Sequence, residues 1–237
     1  MRLTVVMPAH NEAALLSDSV HEVLDGLRAR STPFELIVVE NGSQDSTPDV
    51  VERLAHEAPE VVARQLPRAD YGLALRTGLF AATGDVVVNF DVDYTDLGFL
   101  DAVLLRFGEP DPPAIIVGSK RAPGSQDRRS RIRRVVTWGF ALVLRVGFGL
   151  RRTDTHGMKA MDRELILPIA RASRCDGELF DTELILRAER AGLRVEELPV
   201  TVNERRPSRS SITRRALRTL VGLVRLRVAL AGSRRAR

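Results

Sequence analysis

Four runs of near-continuous apolar residues dominate the first part of the chain, ending at Met7 (LTVVM), Glu40 (FELIVVE), Leu66 (VVARQL) and Phe90 (DVVVNF). Turn residues and then a helix-like stretch follow each, so the chain reads β-α-β-α. Strands that are apolar along their whole length have to be covered on both faces. This predicts an α/β fold with a mostly parallel central sheet flanked by helices. Helix-compatible segments cover Ala13 to Arg28 and Leu73 to Ala82, and Thr47-Pro48 reads as an N-cap followed by proline at the first helical position.

In open α/β sheets ligands bind beyond the carboxyl ends of the strands. Those ends are polar here. The first strand opens onto Pro8-Ala9-His10-Asn11-Glu12, the second onto Glu40-Asn41-Gly42-Ser43-Gln44-Asp45, and the fourth onto Asp91-Val92-Asp93. Asn11 and Asn41 also suit turns or helix caps. From Ala114 the pattern changes to a strand (AIIVG), a loop with seven basic residues between Lys120 and Arg134, and an apolar stretch from Val135 to Leu150, which is short for a membrane span. A helix over Glu178 to Ala191, a strand over Leu193 to Val202 and a polar loop over Asn203 to Ser211 complete the body, with no linker that would divide it.

With 237 residues, 44% of them hydrophobic, the chain can bury a sizeable core, and disorder is excluded. A lone cysteine, Cys175, forbids an internal disulfide and a cysteine zinc cluster, and suits a reducing compartment. The apolar run at the N-terminus is too short for a signal peptide, so an unexported protein is expected. The net charge of +5 hides an asymmetry: Arg205 to Arg237 holds 11 arginines and no acid, leaving 25 basic against 31 acidic residues before it. Arginines and apolar residues alternate from Thr213 to Ala231, so the 213–237 tail suits a basic amphipathic helix in the interface plane of an anionic membrane, or a helix packed on the domain with its arginines in water. A nucleic-acid partner is not expected, because the body is acidic and aromatic residues make up only 5% of the chain.

Asp91 and Asp93 emerge where a strand ends and the chain turns, so both carboxylates can reach one hard divalent cation, Mg²⁺ or Mn²⁺, carrying diphosphate oxygens. Together with Met7-Pro8-Ala9-His10-Asn11-Glu12 and Glu40-Asn41-Gly42-Ser43-x-Asp45-x-Thr47, in this order and spacing, the pair resembles glycosyltransferase family 2. That resemblance implies the GT-A fold, a Rossmann-like nucleotide-sugar-binding architecture. Val117-Gly118-Ser119-Lys120-Arg121, Asp154-Thr155-His156-Gly157-Met158-Lys159, Phe180-Asp181-x-Glu183-Leu184 and Glu197-Leu198-Pro199-Val200 narrow it to the dolichyl- or polyprenyl-phosphate mannose or glucose synthases, over residues 3 to 212.

The resemblance implies that Pro8, Ala9, Asn11, Glu12, Glu40, Asp45 and Asp91 line the nucleotide-sugar pocket and that Asp91 and Asp93 hold the metal. It also implies that Lys120, Arg133, Thr137 and Arg205 bind the acceptor phosphate, and that Asp93, Asp181 and Arg205 act at the reacting centre. Arg133 and Thr137 stand four residues apart, on one helix face. The expected reaction is inverting transfer of a hexose from GDP-mannose or UDP-glucose to a polyprenyl or dolichyl phosphate at the inner face of a membrane. The alternative is a hydroxyl acceptor on a glycan or small molecule, with Asp181 as general base; as a helix acid, Asp181 also reads as a surface residue. Ala69-Asp70-Tyr71-Gly72 departs from the family pattern, which often has a lysine before the helix glycine. Thr95, two residues after the metal motif, is a poor ligand and is not assigned.

Overall fold

The structure is a computed structural model that describes residues 1–120, 122–127, 131–151, 155, 157–202, 222–224, 226–228 and 230; for 126, 127, 131–133, 136 and 202 only the backbone is described. The elements are β1 (Leu3–Ala9), α1 (Ala13–Arg28), β2 (Phe34–Asn41), α2 (Thr47–Glu57), β3 (Val61–Leu66), α3 (Tyr71–Ala81), β4 (Val86–Asn89), α4 (Leu97–Phe107) and β5 (Ile115–Ser119). They continue with β6 (Gln126–Asp127), α5 (Arg131–Phe148), β7 (Lys159–Asp162), α6 (Arg163–Ala172), α7 (Leu179–Arg190), β8 (Val195–Pro199) and β9 (Thr201–Val202). A seven-stranded sheet in the order β3-β2-β1-β4-β7-β5-β8 forms the centre, and β6 pairs with β9 alongside.

The sheet is mostly parallel, and β1, β2 and β4 are buried on both faces as their apolar runs require, whereas β3 departs from that expectation as an edge strand with Arg64 and Gln65 exposed. Leu3, Val5 and Met7 point into one core with Leu36, Val38, Val86 and Val88, under α1, α2 and α4. Val6, Ile37, Val39 and Val87 point into the other, under α3, α6 and α7. The period of two along a strand thus serves two layers at once. Gly78 lets α3 approach β1, because a Cβ there would stand 2.2 Å from a Val6 methyl.

Several local expectations are corrected. β1 runs on to Ala9 and β4 stops at Asn89. The segment 193–202 is two strands, with β8 on the main sheet and β9 paired to β6. The N-cap position of α2 is Ser46, not Thr47; Thr47 is the first helical residue, and the capping acceptor is Asp45 Oδ1, which takes the Thr47 N–H at 3.0 Å. The antiparallel strand β7, inserted between β4 and β5, was not foreseen, nor were α4 and α6.

Glu35, 8% exposed, sits at the opposite end of the sheet. One of its oxygens, Oε1, accepts from the Thr4 hydroxyl (2.7 Å), the Thr83 N–H (2.7 Å) and the Thr83 hydroxyl (2.8 Å). Burial pushes its carboxyl up, but the hydrogen bonds from Thr4 and Thr83, helped by Arg2, hold it below the ordinary value. Its stabilisation is therefore complete above the unfolded value of about 4.3 and is lost as pH falls through the lower folded value. Glu35→Gln is expected to cost about 2 kcal/mol at pH 7. Urea midpoints of the variant and wild type should converge toward pH 3; a gap that stays constant over that range would contradict the assignment.

Candidate active site

The strand ends meet at one edge of the sheet. Register pairs Ala9 with Glu40 and Val6 with Asn89, bringing the turns after β1, β2 and β4 side by side. Asn11 stands in the left-handed region (φ 55°), a conformation that asparagine tolerates. Its N–H donates to Ser43 Oγ (2.9 Å), and its Oδ1 accepts the Gln44 N–H (2.8 Å). His10 Nδ1 lies 2.8 Å from the Asn41 carbonyl, and Glu40 Oε1 accepts the Ser43 N–H at 2.6 Å. Asn41 Oδ1 accepts the Asp70 N–H (2.7 Å), linking this turn to the start of α3.

Asp45 ties together the starts of α1 and α2: it accepts from Thr47 and, at 3.3 Å, from the Ala13 N–H. Desolvation raises its carboxyl, and these bonds more than reverse the shift, leaving it below the ordinary range. The side chains of Glu40, Asp45 and Asn11 thus hold the turns at this edge together. Pro8 and Ala9 are buried at the end of β1, and Glu12 stands at the N-cap of α1.

Asp91 and Asp93 occupy the turn after β4, closed by the Tyr94 N–H on the Asp91 carbonyl (3.0 Å). The Tyr71 hydroxyl donates to Asp91 Oδ1 at 3.1 Å. Burial and then Asp93 push the Asp91 carboxyl above the ordinary range, against the pull of Lys120, the Tyr71 hydroxyl and Lys159. Burial above all, and then Asp91 and Asp181, lift the Tyr71 phenol well above its usual value, so it remains a donor. Tyr71 was not foreseen as a site residue; its only sequence signal was its place beside Gly72. Gly72 brings α3 against the turn before α7, since a Cβ there would stand 2.6 Å from the Gly177 carbonyl oxygen. Asp70 Oδ1 fastens that contact by accepting the N–H groups of Leu73 and Gly177, each at 2.9 Å.

Lys120 follows β5, at the same edge, in a turn held by Ser119 and Ser125. Asp181 is not a surface residue: it is 2% exposed, and its Oδ2 accepts from the Nζ of Lys159, itself 1% exposed, at 2.9 Å. Thr137 lies half-buried on α5. The side chain of Arg133, and all of Arg205, Asp154 and His156, lie outside the described residues. So does most of the 213–237 tail, yet Leu226 and Leu230 are buried in the same core as Leu144 and Phe180. No described helix is long and apolar enough to cross a membrane.

A family profile described as Glycosyl transferase family 2 matches residues 4–167. The chain belongs to this family. Glycosyltransferase AglD of Haloferax volcanii is 33% identical over 84% of the chain, and dolichyl-phosphate beta-glucosyltransferase ALG5A of Trichomonas vaginalis is 29% identical over 85%. The chain spans 33% of AglD's length and 66% of ALG5A's. An uncharacterized glycosyltransferase of Mycobacterium bovis is 32% identical, with 89% of each chain covered.

Among solved structures, glucosyl-3-phosphoglycerate synthase from Mycobacterium tuberculosis in complex with phosphoglyceric acid superposes with a TM-score of 0.64 at 26% identity, over 87% of this chain and 73% of that one. A complex of the same enzyme with Mn²⁺, UDP-glucose and phosphoglyceric acid gives 0.66 at 23% identity, over 91% and 74%, which supports the GT-A fold.

The family 2 site has the chemistry to hold a divalent cation. Asp91 and Asp93 offer hard oxygen donors, and the burial and mutual repulsion that raise Asp91 are what a bound cation would relieve. Among the described residues no group of three or more His, Cys, Asp and Glu is placed to hold a metal ion.

Proposed function

We propose that this family 2 glycosyltransferase moves a hexose, with inversion, from UDP-glucose or GDP-mannose to a polyprenyl or dolichyl phosphate. The observation that carries the reading is the meeting of Asp91 and Asp93 with Lys120 at one sheet edge, close enough for the ammonium to act on the Asp91 carboxyl. Pro8, Ala9, Asn11, Glu12, Glu40 and Asp45 would bind the nucleotide. Asp91 and Asp93 would hold Mg²⁺ or Mn²⁺, which when bound neutralises charge on the leaving diphosphate. Lys120, with Arg133, Thr137 and Arg205, would seat the acceptor phosphate. The dolichyl-phosphate glucosyltransferase relatives favour glucose and a lipid phosphate.

An ionised phosphate is a competent nucleophile without a general base. The burial of Asp181, with one oxygen held by an ammonium, suits such an acceptor better than a hydroxyl, which would require a free carboxylate at the crevice. A lipid acceptor also gives a use to the apolar residues of α5. Val135, Trp138, Leu142 and Val146 recur at helical spacing and are exposed, as are Val224 and Val228. Arg227 joins the two segments by donating to the Gly147 carbonyl at 3.3 Å. We assign this face to the membrane interface, with the 213–237 segment as a peripheral basic contact.

One experiment tests both parts. Nucleoside diphosphate release is followed across a panel of nucleotide sugars with Mn²⁺ or Mg²⁺, using anionic phospholipid vesicles with and without undecaprenyl phosphate, while the fluorescence of Trp138 is recorded. Release from one donor that depends on the lipid phosphate, with a blue shift on vesicle addition, is expected. Release that responds instead to a sugar hydroxyl would overturn the acceptor, and an unshifted spectrum would overturn the membrane face.

A further inference from the structure

Lys159 and Asp181 are the most deeply buried ion pair among the described residues, and the strand-end chemistry does not use it. The Lys159 ammonium donates to Asp181 Oδ2 at 2.9 Å and to the Gly157 carbonyl at 2.6 Å. That carbonyl also receives a longer contact from Asn89 Nδ2, at 3.4 Å. Asn89 is the register partner of Lys159 and lies two residues before Asp91. Gly157 has φ +107°, a conformation closed to ordinary side chains, and a Cβ built on it would stand 3.6 Å from Lys120 Nζ. The pair therefore holds the Gly157 carbonyl, and the Lys120 ammonium lies beside the same glycine. Asp181 Oδ1 is buried without a hydrogen-bond partner among the described residues, beside a small and mainly apolar void that Asn89 also lines.

Burying two charges costs several kcal/mol per ion, and replacing such a pair with apolar groups of similar volume is often neutral or stabilising. Stability alone does not explain why this pair is charged. We propose that Lys159 and Asp181 are positioning residues that set the Gly157 turn, and through it Lys120, for the acceptor phosphate. Asp181 then acts through Lys159 and not as a proton acceptor. This rests on the phosphate-acceptor reading and extends it to two residues beneath the crevice.

The test compares Lys159→Met/Asp181→Leu, Asp181→Asn and Lys120→Met with wild type. It measures kcat, KM for undecaprenyl phosphate, and calorimetric binding of UDP with Mn²⁺. The double variant should raise the acceptor KM roughly tenfold or more while UDP still binds, because a small misplacement of a positioned group is enough for that loss. Adding Lys120→Met to it should cost much less than the product of the separate effects, as for residues acting through one contact. Asp181→Asn keeps an oxygen for Lys159, so its loss should fall mainly on KM.

A kcat loss of about 10²-fold or more in Asp181→Asn with KM unchanged would make Asp181 the base and overturn the proposal. Multiplicative effects with Lys120→Met would also overturn it, as would a double variant with wild-type acceptor KM. Should the double variant not fold, Asp181→Asn decides alone. Failure of the phosphate-acceptor reading would show separately, as wild-type enzyme indifferent to undecaprenyl phosphate.

Discussion

Alanine in place of Asp91 or Asp93 should lower turnover by about 10³-fold while the protein stays folded, since either change removes half of the acid pair in the turn after β4. The fold should tolerate both. The two carboxylates repel one another, and burial already raises Asp91, so the native state gains no stability from keeping both ionised. Tyr71 loses a partner in Asp91→Ala, and Asp91→Asn, which keeps an oxygen for its hydroxyl, controls for that loss. Calorimetric titration with UDP, with and without Mn²⁺, separates the roles: metal-dependent tightening should be present in wild type and absent from both variants. Full turnover in either variant would remove that residue from the metal assignment.

The second large effect concerns Glu183, which is fully buried. Its Oε1 accepts from Arg187 Nε at 2.7 Å, and its Oε2 from the N–H groups of Arg174 (2.8 Å) and Cys175 (2.6 Å). It therefore joins α7 to the segment after α6. Arg76 reinforces the joint by donating to the Ser173 and Cys175 carbonyls, with its guanidinium 5.0 Å over the Phe180 ring. Glu183→Ala takes the buried carboxylate away from the Arg187 guanidinium and from two backbone N–H groups, a loss that costs about 3–5 kcal/mol. For a domain of this size the melting temperature should fall by about 10 °C.

Cys175 supplies a local probe of the same joint. Burial, followed by Glu183, pushes its thiol up to about 12, so the native protein should react slowly with iodoacetamide. Labelling should accelerate in Glu183→Ala under native conditions. An unchanged melting temperature together with unchanged labelling would show that the segment is held by other contacts.

These effects mark how far the linear chain could be read. The runs ending at Met7, Glu40 and Phe90 announced strands buried on both faces, because their density of Val, Ile and Leu has to be covered; the run ending at Leu66 carries Arg64 and Gln65 and became an exposed edge strand. Once those strands are parallel, Glu12, Glu40, Asp91 and Asp93 must gather at one edge, since every carboxyl end points the same way. The gathering of these acids at one edge was therefore legible from local pattern, while their roles come from the family resemblance. Lys159 and Asp181 stood in quoted motifs, but nothing in either motif said that they would meet.

What only the tertiary structure decided depends on residues far apart in the chain. β7 has four residues, too few to show a period, and its place between β4 and β5 comes from unpaired strand edges that the chain creates elsewhere. The segment 193–202 divides because β8 can extend the main sheet while β9 finds β6. Asp181 lies within an amphipathic helix, where its spacing alone is compatible with solvent; the approach of Lys159, 22 residues away, makes its burial tolerable. Tyr71 acquires its role only when the start of α3 comes beside the end of β4. Sequence periodicity reports which face of an element must be covered, whereas the partner of a buried charge is chosen by packing between elements, where desolvation makes one specific contact obligatory.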